Sequence, residues 1–362
     1  MTTPPLQRER TIAELAVLRA CVLTKKVLAA VDEISKTDSS PVTVADFAAQ
    51  AIIISAVRSA FPHDGFVGEE DASALRQDPA LARRVFDLVC SITKDAANLP
   101  DLLGAHATSI PIPASVDSMV DMIDIGAQGQ GGPVGRFWCM DPVDGTRAFL
   151  RGEQYAVSLA LVENGRELVG VLGCPNVKLI NGRIEESSVD TKGHGIMLTA
   201  VRGQGSTIRH VPSHGLMSSA QPLERLRAPA DLRDIHVVDC LLSKAYRHDI
   251  VQQVTEALGA QYPGTEVYSS HVRYAALIVG GGDFQLRVPI GPKTRMCVWD
   301  HAGAQLIFTE LGGKITDLDG NPIDFGAGRD LNRNRGMVAA KEDIHDRVLA
   351  LVREFMAVNN SS

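Results

Sequence analysis

The sequence predicts an α+β N-terminal part, residues 1–222, joined to an α/β C-terminal part, residues 223–362. Two patterns lead there. Helical periodicity near the N-terminus gives way to closely spaced apolar runs, and beyond residue 235 strand-like and helix-like segments alternate. Residues 8–33 set Ile12, Leu15, Leu18 and Val22 at near-helical spacing with charges between them, which describes an amphipathic helix. SKTDSSPV, residues 35–42, breaks it. A second helix is expected from Val44 to Phe61, with Thr43 as its cap and Asp46 three residues on, as in a capping box.

FPHDGFVGEED then reads as a turn into a short strand that ends at the pair Glu69 and Glu70. Residues 74–95 look helical, and the five glycines between Gly126 and Gly135 mark a mobile loop. Apolar runs at 155–162 and 168–172 suit neighbouring strands, GCPN at 173–176 turns the chain, and 177–209 suits hairpins of an antiparallel sheet. The Pro-, Ser- and Arg-rich stretch 212–234 holds the boundary between the two parts. After it come IHVVDCLL, HDIVQQVTEALG with Gly259 as C-cap, EVYSS, HVRYAALIVGG, DFQLRVP and HAGAQLIFTELGG, stopped by Gly312 and Gly313.

Composition narrows the class of function. A chain of 362 residues with 45% hydrophobic content can bury a sizeable core. No apolar run has the length of a membrane span, and MTTPPLQRERTIAEL lacks the basic-then-apolar plan of a secretory signal, so cytoplasmic residence is expected. Six cysteines without a CxxC pair fit reduced, packed thiols better than a disulfide framework or a zinc site. A net charge of −7 argues against a nucleic-acid polymer as partner but leaves room for a small anion held by local cations.

The densest chemistry lies in WCMDPVDGTRAFLRGEQYAVSL, residues 138–159. Phe137 to Met140 suit the end of a buried strand, and Pro142 fixes the backbone just beyond it. Asp141, Asp144 and the carbonyl of Val143 then offer three oxygen ligands within four residues, the donor type a hard cation such as Mg²⁺ takes. Gly145 and Thr146 sit where a helix would start, with N–H groups facing an anion. The competing role is structural: Asp144 as a helix cap and Asp141 in an Asp-Pro turn.

DPVDGT resembles the signature of the lithium-sensitive, Mg²⁺-dependent phosphatases, the family of inositol monophosphatases, fructose 1,6-bisphosphatases and 3′(2′),5′-bisphosphate nucleotidases. TVADFAAQ, VGEE and WDHAGA with ELGG match further signatures in the family's order, from about residue 8 to residue 340. The resemblance implies a layered αβαβα sandwich. It also implies that Glu69, Asp141, the Val143 carbonyl, Asp144 and Asp300 hold two or three Mg²⁺ ions, while Asp46 and Thr146 orient and deprotonate the attacking water. Four carboxylates in one pocket repel one another unless cations neutralise them, which agrees with that set. Glu70 is a candidate for a supporting role.

Within the family, three stretches resemble the nucleotidase branch: GRFWCMDPVDGTRAFLRGEQYAVSLALV, SSPVTVADFAAQAIIISAVRSAFPHDGFVGEE and SSHVRYAALIVGGGDFQLRVP. That branch implies adenosine 3′,5′-bisphosphate as substrate and Gly145, Thr146, Lys244, Ser270, Arg273, Arg287 and Asp300 as its contacts. Activity on 3′-phosphoadenylyl sulfate, roles in sulfate assimilation and salt tolerance, inhibition by Li⁺ and Na⁺, and a monomeric state are implied in the same way. A bisphosphate needs one phosphate at the cations and a second held apart, for which guanidinium forks are suited. Two departures stand out: Arg replaces the branch's Lys at 147 and 273, and in SKAYRHD, residues 243–249, a pocket histidine of relatives is replaced, with Lys244 the best-aligned residue. The alternatives are an inositol monophosphate or polyphosphate 1-phosphatase with the same acidic core, and an inactive protein that senses adenosine bisphosphate.

Overall fold

The computed structural model describes residues 5–31, 40–94, 111–215 and 217–360. Helices α1 (Gln7–Val31) and α2 (Ser40–Ala60) pack on each other through alanines and β-branched residues, and together cover one face of a seven-stranded sheet. In chain order follow β1 (Gly65–Gly68), the short α3 (Ser73–Gln77), α4 (Pro79–Lys94), α5 (Val116–Gln128), β2 (Arg136–Asp144), α6 (Thr146–Leu150), β3 (Ala156–Glu163) and β4 (Arg166–Cys174). A small hairpin of β5 (Val177–Ile180) and β6 (Arg183–Val189) precedes β7 (Ile196–Val201), β8 (Ser206–His210) and β9 (Gln221–Pro222). The large sheet has the order β1-β2-β3-β4-β7-β8-β9; β1 runs parallel to β2 and every other pair is antiparallel.

The remaining elements are β10 (Val238–Asp239), α7 (His248–Ala257), β11 (Thr265–Glu266), α8 (Ser270–Ile278), β12 (Phe284–Arg287), α9 (Ala302–Glu310), β13 (Gly313–Thr316), β14 (Met337–Lys341) and α10 (Glu342–Asn360). Helices α8 and α9 cover the second face of the large sheet, and α9 also meets β13 of a three-stranded sheet ordered β12-β14-β13. Helices α7 and α10 close the far side, α10 against β13 and β14. The result is helix, sheet, helix, sheet, helix. This is the layered sandwich expected.

One close approach fixes how these layers meet. A Cβ on Gly170 of β4 would stand 2.4 Å from the Gly303 carbonyl of α9, so only glycine lets the start of α9 press onto the sheet there. That contact brings Asp300, just ahead of α9, down toward the end of β2.

Several local expectations change. Helix α2 begins at Ser40, so Thr43 lies in its first turn and Asp46 well inside it; the side chain of Thr43 and residues 35–39 of the proposed break lie outside the described residues. The 74–95 helix divides in two because Pro79 starts α4 and Asp78 accepts the amides of Ala80 and Leu81; Asp95 is not among the described residues. Gly126 is the buried C-terminal part of α5, capped at its start by a Ser115–Ser118 box, so the glycine loop is confined to 129–135. In the C-terminal part β14 is inserted between β12 and β13 and pairs antiparallel with both, while β10 and β11 pair parallel. Alternation of strand and helix along the chain does not reveal such an insertion.

Candidate active site

DPVDGT occupies the end of β2, and there the sheet becomes irregular. Pairing with β3 shifts between Asp141 and Asp144, placing Pro142 at a bulge where no ladder N–H is needed. Gly145 then takes φ 92°, and a Cβ on it would lie 2.8 Å from the Cβ of Ser269. Glycine is therefore required twice over, by conformation and by the close approach of α8.

The carboxylates of Asp141, Asp144 and Asp300 converge, with one oxygen from each lying within 4.8 Å of the others. Asp141 and Asp144 are buried and Asp300 is half-buried. Oδ1 of Asp141 is buried without a hydrogen-bond partner, a polar atom left unsatisfied by the protein itself. Asp144 is placed by α8: its carboxylate accepts the Ser269 hydroxyl, the Ser270 amide at 3.2 Å and the His271 amide at 2.6 Å. It does bind the amides of a helix N-terminus, but of a distant helix whose own N-cap is Ser269, not of the one that follows it in sequence.

Glu69 joins this group electrostatically. Desolvation, then repulsion from Glu70, Asp300 and Asp144, pushes its carboxyl up to about 8, even though its side chain remains open to solvent. Glu70 rises to about 7 through desolvation and the charge of Asp71. Asp46 and Asp141 are raised well above the usual carboxylate range, each first by burial; Glu70 and Glu69 add to Asp46, and Glu69, Asp144, Asp300 and Asp46 to Asp141. Asp300 is raised by burial and Asp144, against the pull of Arg287, His271 and Arg273. A set of carboxylates that hold one another out of their ordinary range is a set that a divalent cation would relieve.

Gln50, fully buried on α2, holds the Glu69–Glu70 turn. Its Oε1 accepts the Glu70 amide at 3.1 Å, and its Nε2 donates to the Glu70 carbonyl at 2.7 Å and to the Ile123 carbonyl at 3.0 Å. Thr146 is exposed at the start of α6 and donates its hydroxyl to the Val143 carbonyl at 3.3 Å. Helix α6 packs on α2, which carries Asp46, but among the described residues no hydrogen bond joins Asp46 to Thr146.

Beside the carboxylates opens a cavity of about 460 Å³ that shares Asp144 with them; Arg147, Lys244, Tyr246, Ser270, Arg273 and Arg287 are part of its wall. The two arginines differ in what they have left to give. Arg273 donates to the Gln285 side chain, the Val267 and Tyr268 carbonyls and Ser270 Oγ, which leaves one of its five N–H groups. Arg287 donates to Ser270 Oγ at 2.7 Å and Tyr246 Oη at 3.2 Å, and its buried Nε has no partner. Its guanidinium lies over the Tyr246 ring, 5.5 Å from the centroid. Ser270 thus bridges both arginines. Ser269, His271, Gln50 and Tyr246 escaped the sequence reading, since each earns its place through a partner remote in the chain.

Comparison with known proteins follows the same outline. Residues 7–357 match the Inositol monophosphatase family. A 3′(2′),5′-bisphosphate nucleotidase of Emericella nidulans is 39% identical over 357 residues, covering 97% of this chain and 99% of the relative. One from Schizosaccharomyces pombe is 35% identical over 348 residues, covering 94% of each. Among solved structures, an inositol monophosphatase from Zymomonas mobilis superposes with a TM-score of 0.57 at 15% identity, over 97% of this chain and 100% of that one. At that identity the likeness speaks for the fold alone.

Proposed function

Because the chain belongs to the inositol monophosphatase family, we propose that it removes the 3′-phosphate of adenosine 3′,5′-bisphosphate, leaving AMP and phosphate. The enzyme is a phosphoric monoester hydrolase. The observation that supports this substrate is the cavity lined by Arg147, Lys244, Arg273 and Arg287 next to the carboxylate cluster. A monophosphate ester needs a single anion site, beside the carboxylates. A nucleoside bisphosphate needs a second, and guanidinium and ammonium groups beyond Asp144 provide it.

Oxygen-only donors and the orphaned Asp141 Oδ1 suit Mg²⁺, which Glu69, Asp141, the Val143 carbonyl, Asp144 and Asp300 would hold as two or three ions. Bound there, Mg²⁺ would lower the pKa of a water and offset charge on the departing oxygen. Asp46 orients that water and takes its proton, with Thr146 as relay, since a hydroxyl can accept and donate at once. Arg287, with more uncommitted donors than Arg273, holds the second phosphate; Arg273 and Ser270 keep it aimed. Lys244, exposed on the cavity wall, adds charge.

No helix among the described residues is long and apolar enough to cross a membrane. Cytoplasmic residence, a monomeric state, inhibition by Li⁺ and Na⁺, activity on 3′-phosphoadenylyl sulfate and a part in sulfate assimilation and salt tolerance belong to the same proposal. The deciding experiment measures phosphate released from adenosine 3′,5′-bisphosphate and from inositol 1-phosphate, with Mg²⁺ and with or without Li⁺. Faster release from the nucleotide is expected. Faster release from inositol 1-phosphate would transfer the activity to inositol phosphates, and no turnover of either would favour a nucleotide sensor.

A further inference from the structure

Arg329 lies in the C-terminal half, remote in sequence from the carboxylates, yet it is fastened to both segments that bring Glu69 and Asp300 together. Its Nη2 donates to the Gly68 carbonyl at 2.8 Å, and its Nη1 to the Gly126 and Gly129 carbonyls at 3.1 and 3.0 Å. Gly68 immediately precedes Glu69. The same guanidinium lies over the Trp299 ring, 4.6 Å from its centroid, and Trp299 immediately precedes Asp300. The Arg329 carbonyl accepts the Val298 amide at 2.8 Å, and Cys297 bridges Asp330 alongside.

From these contacts we infer that Arg329 is a positioning residue, setting the separation of Glu69 and Asp300 and through it the affinity of the site for a divalent cation. The inference rests on the metal reading given above. Glu69 and Asp300 repel each other when no cation lies between them, so the protein must hold their segments together by other means. Gln50 secures the Glu69 turn at Glu70, and Arg329 secures it at Gly68. Only a planar fork can meet three carbonyls while stacking on an indole; a lysine ammonium keeps the charge but not that geometry.

The test uses the full chain with Arg329→Lys and Arg329→Gln. Mg²⁺ binding is measured by calorimetry without substrate, alongside melting in EDTA and KM for adenosine 3′,5′-bisphosphate at saturating Mg²⁺. Both variants are expected to melt cooperatively and to bind Mg²⁺ about 10- to 100-fold more weakly, the usual cost of losing an outer-shell support, with KM unchanged. Wild-type Mg²⁺ affinity in either variant overturns the inference, as does a rise in KM equal to the loss of Mg²⁺ affinity. Should only Arg329→Gln fail to fold, Arg329→Lys decides on the same readings; failure of both would make Arg329 a residue of the fold and overturn it. A wild-type chain that binds Mg²⁺ but prefers inositol 1-phosphate overturns the proposed substrate and leaves Arg329 in this role. A wild-type chain that binds no Mg²⁺ overturns both.

Discussion

Asp144 accepts the backbone amide of His271 at 2.6 Å across 127 positions of sequence, so the second carboxylate of DPVDGT also binds the first turn of α8, beside its N-cap Ser269. One side chain thereby ties the acidic cluster to the helix that carries Ser270 and Arg273.

Replacing Asp144 separates its two roles. Asp144→Asn keeps an oxygen for the α8 amides and is expected to fold but to lose phosphate release; Asp144→Ala also loses the acceptor of those amides and should be less stable by about 1–2 kcal/mol in urea denaturation. Retained turnover in Asp144→Asn would remove it from the metal set.

Asp141→Asn should act with opposite signs on stability and on metal response. Its buried Oδ1 has no partner and its charge is opposed by four neighbouring carboxylates, so removing the charge should raise the melting temperature in EDTA. In the wild type, Mg²⁺ at a hundred times its dissociation constant adds about 2.7 kcal/mol, and the variant should lose most of that gain. Melting curves with Mg²⁺ and with EDTA read both.

Arg273 and Arg287 line one cavity but should fail differently. Arg273→Ala removes the donor to the buried Val267 carbonyl and to the half-buried Tyr268 carbonyl, so a loss of stability of about 1–3 kcal/mol is expected. Arg287→Ala removes fewer internal bonds and should mainly raise KM for the nucleotide, about ten-fold or more for a charge-assisted phosphate contact. Urea denaturation and KM, measured on both variants, separate the two.

His248 gives the cavity wall a dependence on pH. Burial opposes its charge, but the Ser243 carbonyl at 2.7 Å and the Asp239 carboxylate at 2.9 Å face its two ring nitrogens and raise its pKa above the ordinary histidine value, against the pull of Arg273. Both neighbours are acceptors, so the clamp is complete only when the ring is protonated. A raised folded pKa means that this stabilisation is fully present below the unfolded value near 6.5 and is lost as pH rises through the folded one. The clamp holds the turn bearing Ser243, Lys244 and Tyr246, so KM for the nucleotide should rise with pH above neutrality while kcat does not follow. His248→Gln should flatten that part of the KM profile.

What the sequence determined by itself is local and chemical. The buried end of β2 from Phe137, the backbone fixed at Pro142 and the helix start at Gly145 and Thr146 are all written within ten residues, because burial period and backbone sterics act between near neighbours. Asp141, Asp144 and Asp300, whose carboxylates converge, were named with Asp46 and Glu69 through the family likeness, and the layered sandwich came the same way. Tertiary structure alone decided which partners those residues meet. It took Gly170 against Gly303 to lower Asp300 onto β2, the first-turn amides of α8 to give Asp144 its second role, and the hydrogen-bond inventories of Arg273 and Arg287 to tell a scaffold guanidinium from one with donors to spare. Periodicity reports which side of an element is buried, not what it is buried against; that choice is made by packing between distant segments, where a missing Cβ or a single spare N–H settles the outcome.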